Sequence, residues 1–299
     1  MTTPSIQWYP GHIAKAEKQL LEQLRRVDVV LEVRDARIPL ATRHPYIDRW
    51  IGEKGQVLVL NRMDMIPSSV QSAWMHWFIQ QGQFSLWTDA QHGKGIDGLS
   101  QAAQIAGAAM NDRRRQRGME PRAVRAVVIG FPNVGKSALI NRLLKRRAVE
   151  SARRPGVTRQ LRWVRVGADL DLLDAPGVLP SRLTDQDAAL RLAFCDDIGE
   201  AAYDNQRVAA AFIDHLKALQ TQAEQWVSCQ ILHDRYGLDP WMGSGEIYLH
   251  ELAERNYQSD RERAARQILN DFRKGILGTI PLELPPQLPP NPLDSPHAL

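Results

Sequence analysis

Two kinds of hydrophobic pattern divide the chain. In the first part, short apolar runs are followed by polar turn residues, which is typical of buried parallel strands. These runs are VDVVLEV (27–33), QVLVL (56–60), FSLW (84–87), VRAVVI (124–129) and LDLL (170–173), while LRWVRV (161–166) alternates as an edge strand does. Helical spacing recurs between them at 13–26, 70–81, 98–110 and 137–144. The pattern predicts an α/β domain with a mostly parallel, doubly wound sheet.

The second part of the chain reads as helical. Strand signals stop after Pro180, and apolar residues recur at helical spacing over 185–275, most clearly at 246–257 and 261–274. The last stretch, which contains LPPQLPPNP, has little to bury and is expected to be a mobile tail. We therefore predict an α/β domain at 1–180, an all-helical domain at 181–280 and a tail at 281–299. The expected helical core includes Ile247, Leu249, Leu252, Ile268, Leu269 and Phe272.

Composition limits the class of protein. The chain has 299 residues with a hydrophobic fraction of 43%, enough to fill a real core. Its start lacks the pattern of a signal peptide, and it contains no apolar run long enough to cross a bilayer. We therefore expect a soluble, cytoplasmic protein with no membrane contact. Cys195 and Cys229 lack metal-ligand spacing, and we expect them to be reduced core residues.

Positive charge is clustered although the formal net charge is only +4. Arginine-rich stretches lie at 113–117, 145–162 and 255–274. Such clusters favour a polyanionic partner such as RNA over the alternative of a solvated surface with linkers. In the last stretch the candidate phosphate contacts are Arg255, Arg261, Arg263, Arg266, Arg273 and Lys274.

A phosphate-binding loop follows the predicted strand at 124–129. The sequence GFPNVGKS (130–137) satisfies GxxxxGK[ST] and leads into the amphipathic ALINRLL. Backbone N–H groups of such a loop surround phosphates, Lys136 reaches the β- and γ-phosphates, and the Ser137 hydroxyl binds Mg²⁺. The predicted nucleotide contacts here are Asn133, Val134, Gly135, Lys136, Ser137 and Ala138.

A guanine-recognition motif follows another predicted strand. NRMD, formed by Asn61, Arg62, Met63 and Asp64, stands where [N/T]KxD is expected. The Asp64 carboxylate can accept hydrogen bonds from guanine N1–H and the exocyclic amine, which adenine does not offer in this arrangement. Taken alone, an Asn and Asp pair is more often a turn.

Three further signals support the nucleotide site. Thr88, Asp89 and Ala90 follow the next strand, where a backbone contact to guanine O6 is expected. Asp174 and Gly177 form a DxxG motif, with the carboxylate near Mg²⁺ and the glycine N–H facing the γ-phosphate. Thr158 is the candidate switch threonine that closes on Mg²⁺. The sequence thus predicts a GTP/GDP site whose motifs run in circularly permuted order, from base clamp to phosphate loop to DxxG.

These motifs resemble the circularly permuted ribosome-assembly GTPases of the YlqF/RbgA type. The resemblance also includes WYPGHIAKA (8–16), DARIP (35–39) and DFRKGILG (271–278) followed by IPLE. It implies a Ras-like P-loop GTPase domain, an RNA-binding helical domain, and late maturation of the large ribosomal subunit precursor through its rRNA. Arg62 replaces the usual Lys of the base clamp. This replacement is expected to affect the affinity for the nucleotide more than the identity of the base. A monomer is expected, but nothing in the sequence decides it.

The residue that positions the attacking water is not the usual one. Val178 stands where Ras-like enzymes carry a Gln, and an isopropyl group cannot polarise water. The permutation and the resemblance both point to His12 as the catalytic residue, unless His12 only anchors its Pro-Gly loop. Asn133 can help to hold K⁺ over the phosphates, unless it serves loop geometry alone. We expect slow turnover without the ribosomal partner.

Two other classes of function remain compatible with the sequence. One is a nucleotide-gated RNA-binding module in which hydrolysis is incidental, and a His12→Ala protein that still matures subunits would favour it. The other is an ATP-dependent enzyme with a helical substrate domain, which Asp64 disfavours.

Overall fold

The first part of the chain forms one six-stranded sheet. The computed structural model describes residues 6, 13–144, 161–180, 183 and 185–286. Its strand order is β3-β2-β1-β4-β6-β5, and only β5 is antiparallel to its neighbour. The predicted α/β class and mostly parallel sheet are confirmed. The strands are β1 (Val29–Asp35), β2 (Gly55–Asn61), β3 (Ser85–Thr88), β4 (Val124–Ile129), β5 (Arg162–Val166) and β6 (Leu170–Asp174).

Helices cover both faces of this sheet. They are α1 (Ile13–Leu24), α2 (Ile47–Ile51), α3 (Ser68–Gln80), α4 (Asp97–Gln116) and α5 (Lys136–Leu143). Sequence periodicity missed α2, whose single turn is too short for a helical repeat to show. The periodic pattern also predicted too early an end for α4, because the last turn of this helix has arginines in place of apolar residues. Arginines are favourable at a helix C-terminus, where the helix dipole is negative.

The remainder of the described chain is helical. It contains α6 (Gln186–Phe194), α7 (Asn205–Gln222), α8 (Gln230–Tyr236), α9 (Gly245–Asn256) and α10 (Arg261–Arg273). Side chains of Asp185, Asp204, Ser244 and Asp260 accept backbone N–H hydrogen bonds at helix starts. Five of the six expected core residues are buried, but Ile247 is 48% exposed. That prediction was wrong because Ile247 lies in the first turn of α9, on its outer side.

The end of the described chain returns to the sheet domain. The Glu283 carboxylate accepts hydrogen bonds from the backbone N–H groups of Leu40 (2.7 Å) and Ala41 (3.0 Å) and pairs with Arg191 (3.0 Å). Leu282 and Glu283 are buried, and both donate their N–H groups to the carbonyl of Arg37. The stretch 281–286 is therefore packed between the two parts of the protein. The expectation of mobility from Pro281 onward was wrong for it, and 287–299 lie outside the described residues.

None of the helices in the described ranges combines the length and the apolar character that a bilayer-spanning segment needs.

Candidate functional site

The expected phosphate loop starts where the strand order of the sheet reverses. β1 and β4 are neighbours, and the chain winds outward from them in opposite directions. Crevices at the carboxyl ends of strands at such a switch point are the usual ligand sites of doubly wound folds. A Cβ at Gly130, directly after β4, would lie 2.3 Å from the carbonyl oxygen of Val33 in β1. Glycine is therefore required for the loop to begin against β1.

The base clamp and the phosphate loop are joined directly. Asn61 Nδ2 donates to the carbonyl of Val134 at 2.8 Å, although the two residues are 73 positions apart. Asn61 Oδ1 accepts from Thr88 Oγ1 (3.1 Å) and from the Ala90 N–H (3.0 Å). Gly135, at φ +100°, leaves room for this amide, because a Cβ there would lie 2.2 Å from Asn61 Nδ2. The buried Asn61 side chain thus connects the base clamp, the segment expected to meet guanine O6, and the phosphate loop.

Arg62 also contacts the phosphate loop. Its Nη2 donates to the carbonyl of Asn133 at 2.6 Å, and its Nη1 lies 3.2 Å from Asp35 Oδ2. The planar guanidinium thus bridges the loop and the end of β1. The substitution of Arg for the usual Lys does not prevent contact with a loop carbonyl.

Base-reading groups gather beside the clamp. Asp64 is exposed in a short 3₁₀ turn, and its carboxylate lies within 4.8 Å of polar side-chain atoms of Asp89 and His92. Partial burial and the charge of Asp89 raise the pKa of Asp64. The N–H groups expected to meet guanine O6 are engaged, since Asp89 N donates to Lys94 O and Ala90 N to Asn61 Oδ1. A guanine O6 would have to compete for one of them.

The phosphate end holds a buried lysine and a buried aspartate. Lys136 opens α5, and its Nζ donates to the carbonyls of Gly130 (3.1 Å) and Phe131 (2.7 Å). Burial lowers the pKa of Lys136 to about 8, against the opposing charge of Asp174. Burial likewise raises the pKa of Asp174 to about 6, opposed by Lys136. Asp174 Oδ1 is buried without a hydrogen-bond partner in the described residues, which fits a group that binds a cation.

The lowered pKa of Lys136 predicts a pH dependence of nucleotide binding. Phosphates favour the charged amine, so binding takes up a proton once the pH exceeds the pKa of about 8 in the unliganded protein. We expect the dissociation constant of GDP to rise about fourfold between pH 7 and pH 8.5, as measured by calorimetry. A Lys136→Arg protein, whose side chain stays charged, should show a flat profile over this range. A flat profile in the unmodified protein would contradict the prediction.

The DxxG segment lies against the phosphate loop. A Cβ at Gly177 would lie 2.6 Å from Pro132 Cα, and Val178 N donates to the carbonyl of Gly130 at 3.2 Å. The Val178 side chain is buried in the cluster beneath α1. It therefore cannot meet a nucleophilic water, in agreement with the argument from its chemistry.

A buried charge cluster joins the nucleotide loop to the helical region, and sequence reasoning missed it. Arg37 donates to both carboxylate oxygens of Asp35 (3.0 and 2.7 Å), and both side chains are fully buried. Burial alone would raise the pKa of Asp35, but Arg37 and Arg62 outweigh it and hold the pKa low. Asp197, after α6, is buried beside them, and burial followed by the charge of Asp35 raises its pKa well above the usual value. The DARIP sequence was the available signal, but its charge partners come from a distant segment.

The phosphate loop also contacts the helical region directly. Asn133 Nδ2 donates to the carbonyl of Asp196 at 2.6 Å. The amide predicted to hold a cation thus also bonds to the loop that follows α6.

Three sequence predictions have other outcomes. His12 and Thr158 lie outside the described residues, so their roles stay predictions. Arg273 was expected to meet RNA, but it donates to the carbonyls of Phe194 (3.0 Å) and Ala193 (2.7 Å) and its side chain is only 10% exposed. It is a structural residue, and that expectation was wrong. The periodic pattern could not distinguish a buried arginine from its exposed neighbours.

Comparison with known proteins agrees with this geometry. A family model described as "50S ribosome-binding GTPase" matches residues 125–232, which include the phosphate loop and the DxxG segment. Together with a base clamp that precedes the loop in sequence but contacts it in space, this match defines a P-loop GTPase with circularly permuted motifs. The chain therefore binds guanine nucleotides and hydrolyses GTP.

Full-length relatives give the family. Ribosome biogenesis GTPase A of Bacillus cereus is 34% identical over 287 residues, which is 94% of each chain. That of Priestia megaterium is 40% identical over 206 residues, covering 69% of this chain and 72% of the relative. The chain belongs to the ribosome biogenesis GTPase A family and has a GTPase role in ribosome biogenesis.

A solved structure supports the fold. The GNP-bound YlqF from T. maritima superimposes with a TM-score of 0.61 at 23% identity, covering 92% of this chain and all of that one. The expected circularly permuted fold is confirmed.

Proposed function

We propose that the protein binds the large ribosomal subunit precursor, promotes its late maturation, and hydrolyses GTP in response to that contact. The observation that carries this proposal is the hydrogen bond from Asn133 to the carbonyl of Asp196. Through it, a partner that moves the helical region acts directly on a phosphate-loop side chain. A contact of this kind can let an event at one surface act on a distant site.

Magnesium and potassium have separate proposed positions. Ser137 and the Asp174 oxygen that has no hydrogen-bond partner among the described residues are suited to hold Mg²⁺, with Thr158 as the proposed third group. When bound, the metal neutralises charge that develops on the phosphates. A K⁺ ion would be held by the side-chain oxygen of Asn133, while Nδ2 of the same amide donates to the Asp196 carbonyl. One amide would then connect the cation to the loop that follows α6.

His12 is proposed to position the nucleophilic water, because Val178 is buried and lacks a polar group. A His12→Ala protein should still bind GTP but lose the hydrolysis that the subunit stimulates. Such a result would separate the catalytic role from a purely anchoring one.

The test combines the partner and the cation. GTP turnover is measured with and without purified precursor subunits, in KCl and in NaCl, and we expect a large increase only with subunits and KCl together. An Asn133→Ala protein is the matched variant, since it loses both the cation ligand and the bond to Asp196. Equal turnover in all four mixtures would refute both the partner-stimulated mechanism and the role of K⁺.

A further inference from the structure

An exposed tryptophan lies among arginines on one face of the sheet. Trp163 is in the edge strand β5 and is 37% exposed. The Arg125 guanidinium lies over its ring, 6.0 Å from the centroid. Arg165, two residues further along the same strand, has a 59% exposed side chain. Residues two apart on a strand share a face, so Trp163 and Arg165 point to the same side.

The pairing of the strands extends this group across the sheet. Arg125 in β4 and Arg165 in β5 are both in register with Asp171 of β6. On the other side of β4, Asp28 donates its N–H to the carbonyl of Arg125 at 2.8 Å. Arg125, Asp171 and Arg165 therefore form one row over three neighbouring strands, and the Asp28 carboxylate lies beside Arg125.

More arginines flank the row. Arg25 and Arg26 are exposed in the turn between the end of α1 and Asp28, and Arg122 precedes β4. We use the name Arg–Trp face for Arg25, Arg26, Arg122, Arg125, Trp163 and Arg165.

The carboxylates of this face do not cancel its charge. Asp28 is bonded to Arg122 at 2.8 and 2.9 Å, and Asp171 pairs with Arg165 at 3.2 Å. The positive charges of Arg25, Arg26 and Arg125 are additional to these two ion pairs. Leu20 and Leu24 of helix α1 pack in one cluster with Val30, Val127 and Leu173, and the helix ends at Leu24.

We propose that the Arg–Trp face binds single-stranded RNA, with a base stacked on Trp163 and phosphates held by Arg25 and Arg26. An exposed aromatic ring within a net positive surface is the arrangement that single strands use, since every base offers a π-face and every nucleotide a phosphate. Duplex RNA, with its bases stacked internally, cannot use the ring. The positive charge disfavours a purely apolar partner, and an acidic protein surface is the alternative that the experiment tests. This inference rests on the proposed ribosomal contact and extends it to the GTPase domain.

The test uses a fluorescent single-stranded oligouridine and the full-length protein. We expect Trp163→Ala to weaken binding about tenfold, and Trp163→Phe to retain most of the affinity, because stacking contributes about 1–3 kcal/mol per base. The double variant Arg25→Glu with Arg26→Glu should weaken binding and reduce its salt dependence. Arg207→Glu, at an exposed position of α7 in the helical region, is the charge control and should have less effect.

Folding and alternative partners are controlled separately. GDP binding must be unchanged in each variant, which shows that the domain is folded. Equal affinity of wild type and Trp163→Ala for oligouridine, or equal binding of single-stranded and duplex RNA, would overturn the inference. A variant that binds oligouridine normally but binds precursor subunits poorly would point to a protein partner and would also overturn it. If precursor subunits do not stimulate GTP turnover even in the unmodified protein, the proposed function is refuted. The oligouridine comparison then still tests whether the Arg–Trp face binds single-stranded RNA.

Discussion

Replacement of Asp64 by Asn is expected to reduce the affinity for GDP by at least about 100-fold, since the guanine N1–H and exocyclic amine would lose a carboxylate acceptor and face an amide donor. Xanthosine diphosphate should then bind better than GDP, because its C2 carbonyl can accept from the new amide. Competition between the two nucleotides, followed by fluorescence of a labelled GDP, measures the change.

Asp89 provides the matched control for this experiment. Its carboxylate lies within 4.8 Å of that of Asp64, and it accepts hydrogen bonds from the N–H groups of Gln91 and His92 at 2.9 Å. An Asn at position 89 keeps an oxygen for those bonds and should keep the preference for GDP. If Asp89→Asn inverts the preference and Asp64→Asn does not, Asp89 is the residue that reads the base.

Removal of the Arg37 side chain should be the most destabilising single change at the junction of the two parts. Arg37→Ala leaves the carboxylates of Asp35 and Asp197 buried with less compensation, and it also removes the guanidinium stacked 5.1 Å from the Phe272 ring. Breaking a buried ion pair in this way costs about 3–5 kcal/mol. Urea unfolding followed by circular dichroism should show a clearly lower midpoint.

Arg43→Ala is the control for Arg37, because Arg43 pairs with Asp48 at a similar distance of 2.7 Å but on the surface. Exposed pairs contribute about 1 kcal/mol or less. Equal shifts of the two midpoints would show that burial adds nothing to the Arg37 pair. A loss of GDP affinity in Arg37→Ala would further show that the junction supports the clamp through Asp35 and Arg62.

The sequence predicted the sheet well because its strands carry the strongest local signal. Strands β1, β2 and β4 are short runs rich in valine, and β4 was predicted with its observed limits. The base clamp and phosphate loop were also predicted together, since each follows a strand and the carboxyl ends of parallel strands meet at one edge. The bond from Asn61 to Val134 shows that this spatial argument holds.

The errors concern information that local pattern does not contain. Ile247 and Arg273 have ordinary helical spacing, and their exposure depends on which neighbour covers each face. Asp35 and Arg37 were noted only through a family resemblance, because their partner Asp197 lies more than a hundred residues away and shows no motif. Glu283 was placed in a mobile tail because proline content reports local flexibility, whereas its binding site is formed by Leu40 and Ala41.

The return of Glu283 to the first domain also constrains the order of folding during synthesis. The backbone N–H groups of Leu40 and Ala41 leave the translating ribosome early, but the carboxylate that binds them is made only after every described helix has been translated. A prematurely terminated chain can contain all the nucleotide motifs and still leave these groups without their partner. Completion of the GTPase domain is thereby coupled to completion of the helical region.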